Sequence, residues 1–139
     1  MKLKKYLRKN IKQQSLSKHK CIGIDLDYTL INGPHSKDIR KFVKKSESFF
    51  HVITFRPVVP ESIVTELSQY KNVISLNALP ADIIEYSEEY LEWKGKVCKQ
   101  LGCTAIIDDD ILAIIDGCKK YDIQIFNSLK WPQYRKESK

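Results

Sequence analysis

Residues 21–30 constrain this chain most, because a short apolar run leads directly into two carboxylates. Cys21–Ile24 is apolar and rich in β-branched residues, which predicts a buried central strand. Asp25 and Asp27 follow at positions i and i+2, so on an extended backbone their side chains would point to opposite faces. Both can serve one pocket only if the chain turns between them, and the hydroxyl of Thr29 can hold that turn. We therefore predict a strand whose C-terminal end turns into a site, which is where ligands bind in open α/β sheets.

Length and composition describe a single globular domain. The chain has 139 residues, of which 42% are hydrophobic and 29% are charged; this is enough for one substantial core. No apolar run approaches the roughly 20 residues that a bilayer span requires. The basic N-terminus lacks the apolar centre of a signal peptide, so we expect a cytoplasmic protein without a membrane span.

The positive charge is concentrated at the N-terminus. Of the net charge of +7, residues 1–20 contribute eight Lys or Arg and no acid, which leaves 16 basic and 17 acidic residues in the remainder. Leu3, Leu7 and Ile11 recur every four residues, so we predict a basic N-terminal arm over 1–20 that is helical. It is either a solvated helix on the body or a contact for a polyanion such as nucleic acid, an anionic membrane surface or another acidic partner.

The cysteine pattern argues against a zinc site. The four cysteines have no Cys-x-x-Cys spacing, and the three histidines are not grouped with them in the sequence. Cys21 and Cys98 fall at apolar positions and are interpreted as small core residues. This usage favours a reducing compartment.

Strands alternate with helices along the body of the chain, which we assign to residues 21–127 with a C-terminal tail over 128–139. This alternation predicts a three-layer α/β/α Rossmann-like sandwich with a five-stranded parallel sheet. We expect the strand order 5-4-1-2-3. The predicted strands cover Cys21–Ile24, 49–55, 73–76, 104–107 and 122–126.

Four helical regions are predicted between these strands. The first opens at Ser36 or Lys37, and the second at Pro60 or Glu61. The third runs from Pro80 to about Gly102, with a break near residues 87–90 if it is two helices, and with Ile83 and Ile84 buried. The fourth runs from about Asp110 to Lys120 with Leu112 and Ile115 facing inward.

The strand ends carry the polar residues of interest. Right-handed crossovers place the C-terminal ends of parallel strands at one edge of the sheet. Asp25, Thr54 and Asp108 all lie at such ends, with Arg56 two residues beyond Thr54 and Asp109 beside Asp108. We predict that these side chains converge on a single site.

The order of these motifs resembles that of the haloacid dehalogenase-like (HAD) hydrolases across about residues 21–127. That family combines Asp-x-Asp-x-Thr after a hydrophobic strand, a strand-ending Thr or Ser, a Lys before the fourth strand, and a strand-ending acid pair. The matching residues here are Asp25, Asp27 and Thr29, then Thr54, then Lys94 with Lys96 as the alternative, then Asp108 and Asp109.

The chemistry of a phosphatase fits these residue types. A carboxylate such as Asp25 can attack phosphorus and form an aspartyl-phosphate. Asp25, Asp108 and Asp109 offer hard oxygen ligands suited to Mg²⁺, and which of the last two binds the metal directly is left open. The resemblance implies that Asp27 adds a backbone carbonyl to the metal. It also implies that the Asp27 side chain protonates the leaving group and then activates water, a role that favours a partly dry site.

The remaining polar residues have supporting roles. Thr54 is expected to bind a phosphoryl oxygen, and Lys94 to neutralise Asp25 and the phosphate. Arg56 either grips the rest of the substrate or is a neutral surface residue. Asp110 is interpreted as a helix N-cap.

The spacing of the motifs leaves no room for a separate cap domain over the site. Only 24 residues separate Thr29 from Thr54 and 39 separate Thr54 from Lys94, whereas a further domain needs roughly 50 residues beyond the core elements. Without a cap domain we expect an open site, unless an oligomer partner or the arm covers it.

The sequence therefore indicates a small, cap-less, Mg²⁺-dependent phosphatase. Its substrate is a phosphorylated small molecule or nucleic-acid end, and the basic arm favours a nucleotide or nucleic-acid end. Two alternatives remain at this point: a non-catalytic binding or regulatory protein with the same fold, and a phosphotransferase.

Overall fold

A five-stranded, all-parallel sheet forms the centre of the protein. The structure is a computed structural model that describes residues 13–134. The sheet order β3-β2-β1-β4-β5 is the predicted order read from the opposite edge, so the predicted topology is confirmed. The strands are β1 Cys21–Ile24, β2 Phe49–Thr54, β3 Val73–Ala78, β4 Ala105–Asp108 and β5 Gln124–Asn127.

Helices cover both faces of this sheet. They are α1 Ser36–Lys45, α2 Glu61–Leu67, α3 Glu88–Leu101 and α4 Ile111–Tyr121, with 3-10 turns at Leu16–Lys18 and Ser128–Tyr134. One face of the sheet packs with α1, α2 and the last 3-10 turn around Phe50, Phe42 and Trp131. The other face packs with α3 and α4 around Ile106 and Trp93. The predicted three-layer sandwich is confirmed.

Two glycines allow α3 and α4 to pack with their backbones in contact. A Cβ atom at Gly95 would lie 2.3 Å from the carbonyl carbon of Gly117. One at Gly117 would lie 2.7 Å from the carbonyl oxygen of Glu92. Real Cβ atoms do not approach the backbone that closely. The short distance between α3 and α4 therefore requires that both residues lack a side chain.

The predicted third helical region is wrong in its first part. Residues 80–87 form turns and bends, and the helix begins only at Glu88 with Ser87 as its N-cap, whose hydroxyl accepts a hydrogen bond from the Tyr90 N–H. Tyr86 has φ of 63°, a left-handed conformation that prevents a continuous helix through it. Ile84 is consequently 76% exposed, contrary to the predicted burial.

The inward face of α4 also differs from the prediction. Leu112 is 84% exposed, whereas Ala113, Ile114, Gly117 and Cys118 are buried. The close contact at Gly117 determines this face, since the helix rotates its small residues toward α3. The predicted C-terminal end of α3 is confirmed, because the helix stops at Gly102, which has a left-handed conformation.

Residues near both ends of the described range pack against the sheet. Leu16, within the predicted arm, is fully buried, and Trp131 near the C-terminus is 2% exposed. The apolar spacing at Leu3, Leu7 and Ile11 lies outside the described residues. Within 13–134, no helix is both long and apolar enough to cross a membrane.

No inserted domain interrupts the sandwich within the described residues. The chain between β1 and β2 contains only α1, and the chain between β2 and β3 contains only α2. The C-terminal edge of the sheet is therefore not covered by a cap from either segment.

Candidate active site

The three central strands bring the predicted strand-end residues together. β1 pairs with β2 on one side and with β4 on the other, so its C-terminal end lies between theirs. The backbone N–H of Asp25 donates to the carbonyl of Ile107 at 2.9 Å, which fixes Asp25 beside the end of β4. Thr54 closes β2 and Asp108 closes β4, and both are essentially fully buried.

A tight turn follows Asp25, as the spacing of the two carboxylates predicts. β1 ends at Ile24, and the N–H of Leu30 returns to the carbonyl of Leu26 at 3.0 Å. Tyr28 has φ of 66°, a left-handed conformation that is strained for an aromatic residue by about 1 kcal/mol or more. Its N–H donates to the carbonyl of Ile31 at 2.7 Å, which helps to hold this turn closed.

Lys94 links the two buried acids at the sheet edge. Its Nζ donates to Asp25 Oδ1 at 2.7 Å and to Asp108 Oδ2 at 2.8 Å, and its side chain is 1% exposed. The same Nζ lies 4.5 Å from the centre of the Phe55 ring, a cation–π contact. Lys96, the alternative lysine, is exposed on α3.

The carboxylates outnumber the cation that pairs with them. Burial raises the pKa of Asp25 well above its usual range, and Asp108 adds to this by repulsion while Lys94 acts against it. Burial acts to lower the pKa of Lys94, but attraction to Asp108 and Asp25 outweighs burial, so its pKa is raised and the amine stays charged. One lysine therefore only partly relieves the electrostatic cost of the buried acids.

Asp108 and Asp109 are held by neighbouring polar groups. The N–H of Asp110 donates to Asp108 Oδ1 at 3.0 Å. Thr29 Oγ1 donates to Asp109 Oδ1 at 3.2 Å and lies 2.9 Å from Ser128 Oγ. We expected the Thr29 hydroxyl to hold the turn after β1. It instead joins that turn to Asp109, which is distant in the sequence. Asp110 occupies the N-cap position of α4, although its side chain makes no capping hydrogen bond.

The acid cluster is suited to a divalent cation. Carboxylate oxygens of Asp25, Asp108 and Asp109 lie within 4.8 Å of one another. With Lys94 as the paired cation, three ionised acids leave a local charge of −2, which one Mg²⁺ would balance. Such oxygen donors match the preference of Mg²⁺, so the residues present fit the predicted metal.

Arg56 and Asp27 form an ion pair at the rim of the site. Arg56 Nε and Nη2 donate to the two oxygens of Asp27 at 2.7 and 2.6 Å. The side chain of Asp27 is 45% exposed, so it is only partly shielded from water. The N–H of Arg56 also donates to Thr54 Oγ1 at 3.1 Å. No other hydrogen bond of that hydroxyl is found within 13–134, which leaves its proton free to donate.

An open pocket of about 420 Å³ adjoins this rim. Phe55 and Tyr90, which contribute to its wall, stack with ring centres 4.2 Å apart and planes 14° from parallel. The other lining residues come from the turn after β1, the loop after β2 and the turns between β3 and α3; they include Asp27, Arg56, Pro80 and Ile83. The pocket therefore offers an aromatic and apolar wall beside a charged pair.

Sequence reasoning missed several residues of this site. Phe55 adjoins a predicted residue, but an aromatic at a strand end is commonly core. Tyr90 was placed at a break in a helix, and its stacking on Phe55 depends on the non-helical turns before α3. Ser128 lay in the predicted tail, and no local pattern links it to Thr29.

The comparisons with known proteins support the fold. No family model matches the chain, and no curated relative matches it. Among solved structures, the chain is similar to the core domain of a candidate phosphoglycolate phosphatase from Streptococcus pneumoniae, determined by NMR. The identity is 14% and the TM-score 0.52, over 84% of this chain and 80% of the other. At this identity the likeness shows a shared fold.

Proposed function

We propose that this protein is a Mg²⁺-dependent phosphatase that hydrolyses phosphomonoesters through an aspartyl-phosphate on Asp25. The observation that carries the proposal is the bridge from Lys94 to both Asp25 and Asp108, at 2.7 and 2.8 Å, with Asp109 in the same cluster. A buried lysine between two acids, beside hard oxygen ligands, is an arrangement for binding and polarising an anionic phosphate. The fold shared with the core domain of a candidate phosphatase gives further support.

The first step transfers the phosphoryl group to the protein. An oxygen of Asp25 attacks phosphorus, a new P–O bond forms, and the bond from phosphorus to the leaving oxygen breaks with its electron pair. Asp27, when protonated, donates its proton to that oxygen. To do so it exchanges its ion pair with Arg56 for a hydrogen bond to the leaving group, and its 45% exposed side chain can move.

The second step releases phosphate. Asp27, now ionised, accepts a proton from water, and the water oxygen attacks phosphorus. The bond between phosphorus and Asp25 breaks, which regenerates the carboxylate. Arg56 donates to both carboxylate oxygens of Asp27 and so orients that carboxylate between turnovers.

The remaining residues stabilise charge on the transferred group. Asp25, Asp108 and Asp109, with the backbone carbonyl of Asp27, would hold Mg²⁺, which when bound shields Asp25 from the incoming phosphate and polarises a phosphoryl oxygen. Thr54 donates its free hydroxyl proton to a phosphoryl oxygen. Lys94 is held rigid by its two ion pairs, so it needs little reorganisation during the reaction.

The pocket beside the rim favours a substrate with a planar or apolar leaving group, and we propose a nucleotide or a phosphorylated nucleic-acid end. A base can pack against an aromatic and apolar wall such as the one to which Phe55 and Tyr90 contribute. A panel of nucleoside monophosphates, 3′- and 5′-phosphorylated oligonucleotides, sugar phosphates and phosphoglycolate tests this. Higher kcat/KM for the sugar phosphates or phosphoglycolate than for every nucleotide would reject the substrate class but leave the phosphatase intact.

Replacing Asp25 with Asn tests the central assignment. Asn cannot attack phosphorus, so phosphate release from an aryl phosphate with Mg²⁺ should fall to the background rate. Asp116→Asn, at an exposed acid on α4, is the matched control and should keep wild-type turnover. Circular dichroism establishes that both variants fold, and turnover in a folded Asp25→Asn protein would refute the proposal.

Two further outcomes correspond to the alternative functions. Release of phosphate only when a second acceptor is added would indicate a phosphotransferase. Tight binding of phosphorylated ligands without any hydrolysis across the panel would indicate a binding or regulatory protein.

A further inference from the structure

A second cluster of metal-binding side chains lies at the opposite end of β1 from Asp25. One ligand atom each of Cys21, His51 and Cys103 lie within 4.8 Å of one another. The sequence argued against a zinc site because it has no Cys-x-x-Cys spacing and its histidines are not grouped with its cysteines. The structure shows that they are neighbours in space, so that expectation was wrong about the grouping of the side chains.

The sheet and the end of α3 bring the cluster together. Cys21 opens β1, and His51 lies on β2 opposite Gly23, two residues further along the same face. Cys103 follows the left-handed Gly102 that ends α3, and its N–H donates to the carbonyl of Cys98 at 2.8 Å. The sulfur atoms of Cys21 and Cys103 are 3.5 Å apart.

One ring nitrogen of His51 already has a polar partner. Its Nδ1 lies 2.6 Å from Ser75 Oγ on β3, which leaves Nε2 as the nitrogen available to a metal. Metal-binding histidines characteristically bond their other ring nitrogen to a polar partner, which fixes the ring. His51 and Cys21 are both half-buried, so an ion could enter from solvent while Cys103 closes the inner side.

A third sulfur lies next to the cluster. The thiol of Cys98 is close enough to that of Cys103 for each to shift the pKa of the other, and Cys98 is fully buried. A Cβ atom at Gly23 would lie 2.8 Å from the sulfur of Cys98, so this position admits the sulfur only because it has no side chain. The region thus has three sulfur atoms and one imidazole, the donor types that select zinc over magnesium.

We propose that Cys21, His51 and Cys103 bind one Zn²⁺, with Cys98 or a water molecule as the fourth ligand. Binding replaces S–H bonds with Zn–S bonds at about 2.3 Å, and the thiol protons leave to solvent without any change of oxidation state. The ion would tie β1 and β2 to the segment between α3 and β4. It lies roughly 13 Å along β1 from the acid cluster, at the rise of an extended strand.

Titration of the full-length, reduced protein with Co²⁺ tests this site directly, because cobalt reports its ligands by absorption. We expect one Co²⁺ per chain with an intense near-ultraviolet sulfur-to-cobalt band and visible bands of tetrahedral geometry. Zn²⁺ should displace the cobalt and abolish these bands. Cobalt at the carboxylate site gives no sulfur band, so the two sites are distinguished.

Variants locate the binding residues. Cys21→Ser and His51→Ala should each weaken Co²⁺ binding at least tenfold, whereas Cys118→Ser, a buried cysteine outside the cluster, should bind like the wild type. Asp25→Asn should leave the sulfur band unchanged, which separates this site from the proposed phosphatase. Absence of the band in folded, reduced wild type would overturn the proposal, as would its retention in both the Cys21→Ser and His51→Ala variants.

Discussion

Lys94 is the residue on which the site depends most, because a charged amine is fully buried between two carboxylates. Buried ion pairs persist only when their geometry is good. Removal of Lys94 would leave both acids without a cation, a loss that typically costs about 3–5 kcal/mol, whereas without the charge of Asp25 the lysine still pairs with Asp108. Here the bonds to Asp25 and Asp108 are 2.7 and 2.8 Å. Even so, burial disfavours the charged form of Asp25. This is consistent with a site that is arranged to bind a ligand at the expense of the stability of the protein.

Asp25→Asn should therefore make the metal-free protein more stable at neutral pH. The pKa of Asp25 is raised in the folded protein by burial first, so the folded state holds that proton more tightly than the unfolded chain. The stabilisation from the protonated acid is complete below the unfolded pKa of about 4 and is lost as the pH rises through the folded pKa. Asn cannot ionise, so it avoids this loss.

The measurement is the melting temperature of both proteins between pH 4 and pH 8 with a chelator present. The advantage of Asp25→Asn should be large at pH 7 and should disappear toward pH 4. Asp116→Asn serves as the control and should show no such trend. A difference in melting temperature between Asp25→Asn and the wild type that stays constant with pH would contradict the assigned environment of Asp25.

Arg56→Lys should lower kcat about tenfold, which corresponds to about 1.4 kcal/mol. Lysine keeps the positive charge but cannot donate to both oxygens of Asp27 at once, so the acid loses its fixed orientation. Steady-state kinetics on an aryl phosphate measure this change. A raised KM with unchanged kcat would instead mean that Arg56 grips the substrate.

The convergence of Asp25, Thr54 and Asp108 could be predicted from the sequence, because parallel strands place their ends at one edge of a sheet. The contacts of Phe55 and Asp27 could not. They depend on where a side chain points after the strand has ended, and on distant partners such as Lys94 and Arg56. Neither local propensity nor periodicity contains that information.

At the scale of whole elements, the contact of α3 with α4 determines how Lys94 reaches the sheet edge. Gly95→Ala should lower the free energy of unfolding by about 1–3 kcal/mol, because its Cβ would lie 2.3 Å from the backbone of Gly117. Activity should fall as well, since Lys94 is the preceding residue. Lys96→Ala, exposed on the same helix, should change neither property.

Chemical denaturation and phosphatase assays of these two variants measure the effect. A Gly95→Ala protein as stable as the wild type would show that α3 and α4 can separate without loss. The prediction for Leu112 was wrong because of the same close contact between α3 and α4. Apolar periodicity could not identify the inward face of α4, because small residues at the helix contact outweighed a large apolar one.

At the scale of the whole molecule, a site that no inserted domain covers within residues 13–134 is combined with a basic N-terminal segment, of which residues 1–12 hold six Lys and Arg side chains. We propose that this segment contacts a polyanionic substrate. Replacing those six residues with Gln removes their charge without deleting Leu16, which packs in the core. The logarithm of oligonucleotide affinity should then depend less steeply on the logarithm of salt concentration, by about 0.7 for each lost phosphate contact.

Fluorescence anisotropy with a labelled oligonucleotide at several salt concentrations gives both slopes. Equal slopes for the wild type and the substituted protein would dismiss a role for the segment in nucleic-acid binding. Turnover of a small aryl phosphate is the control, and it should be unaffected by the six replacements.

The hydrogen bonds from Ser128 through Thr29 to Asp109 mean that the 3-10 turn Ser128–Tyr134 supports the candidate site at the sheet edge. A shortened version ending before residue 128 would lose a support for Asp109 as well as the buried Trp131. Any truncation or fusion should therefore retain Ser128–Tyr134. A truncation that removes this turn is expected to lower activity as well as stability.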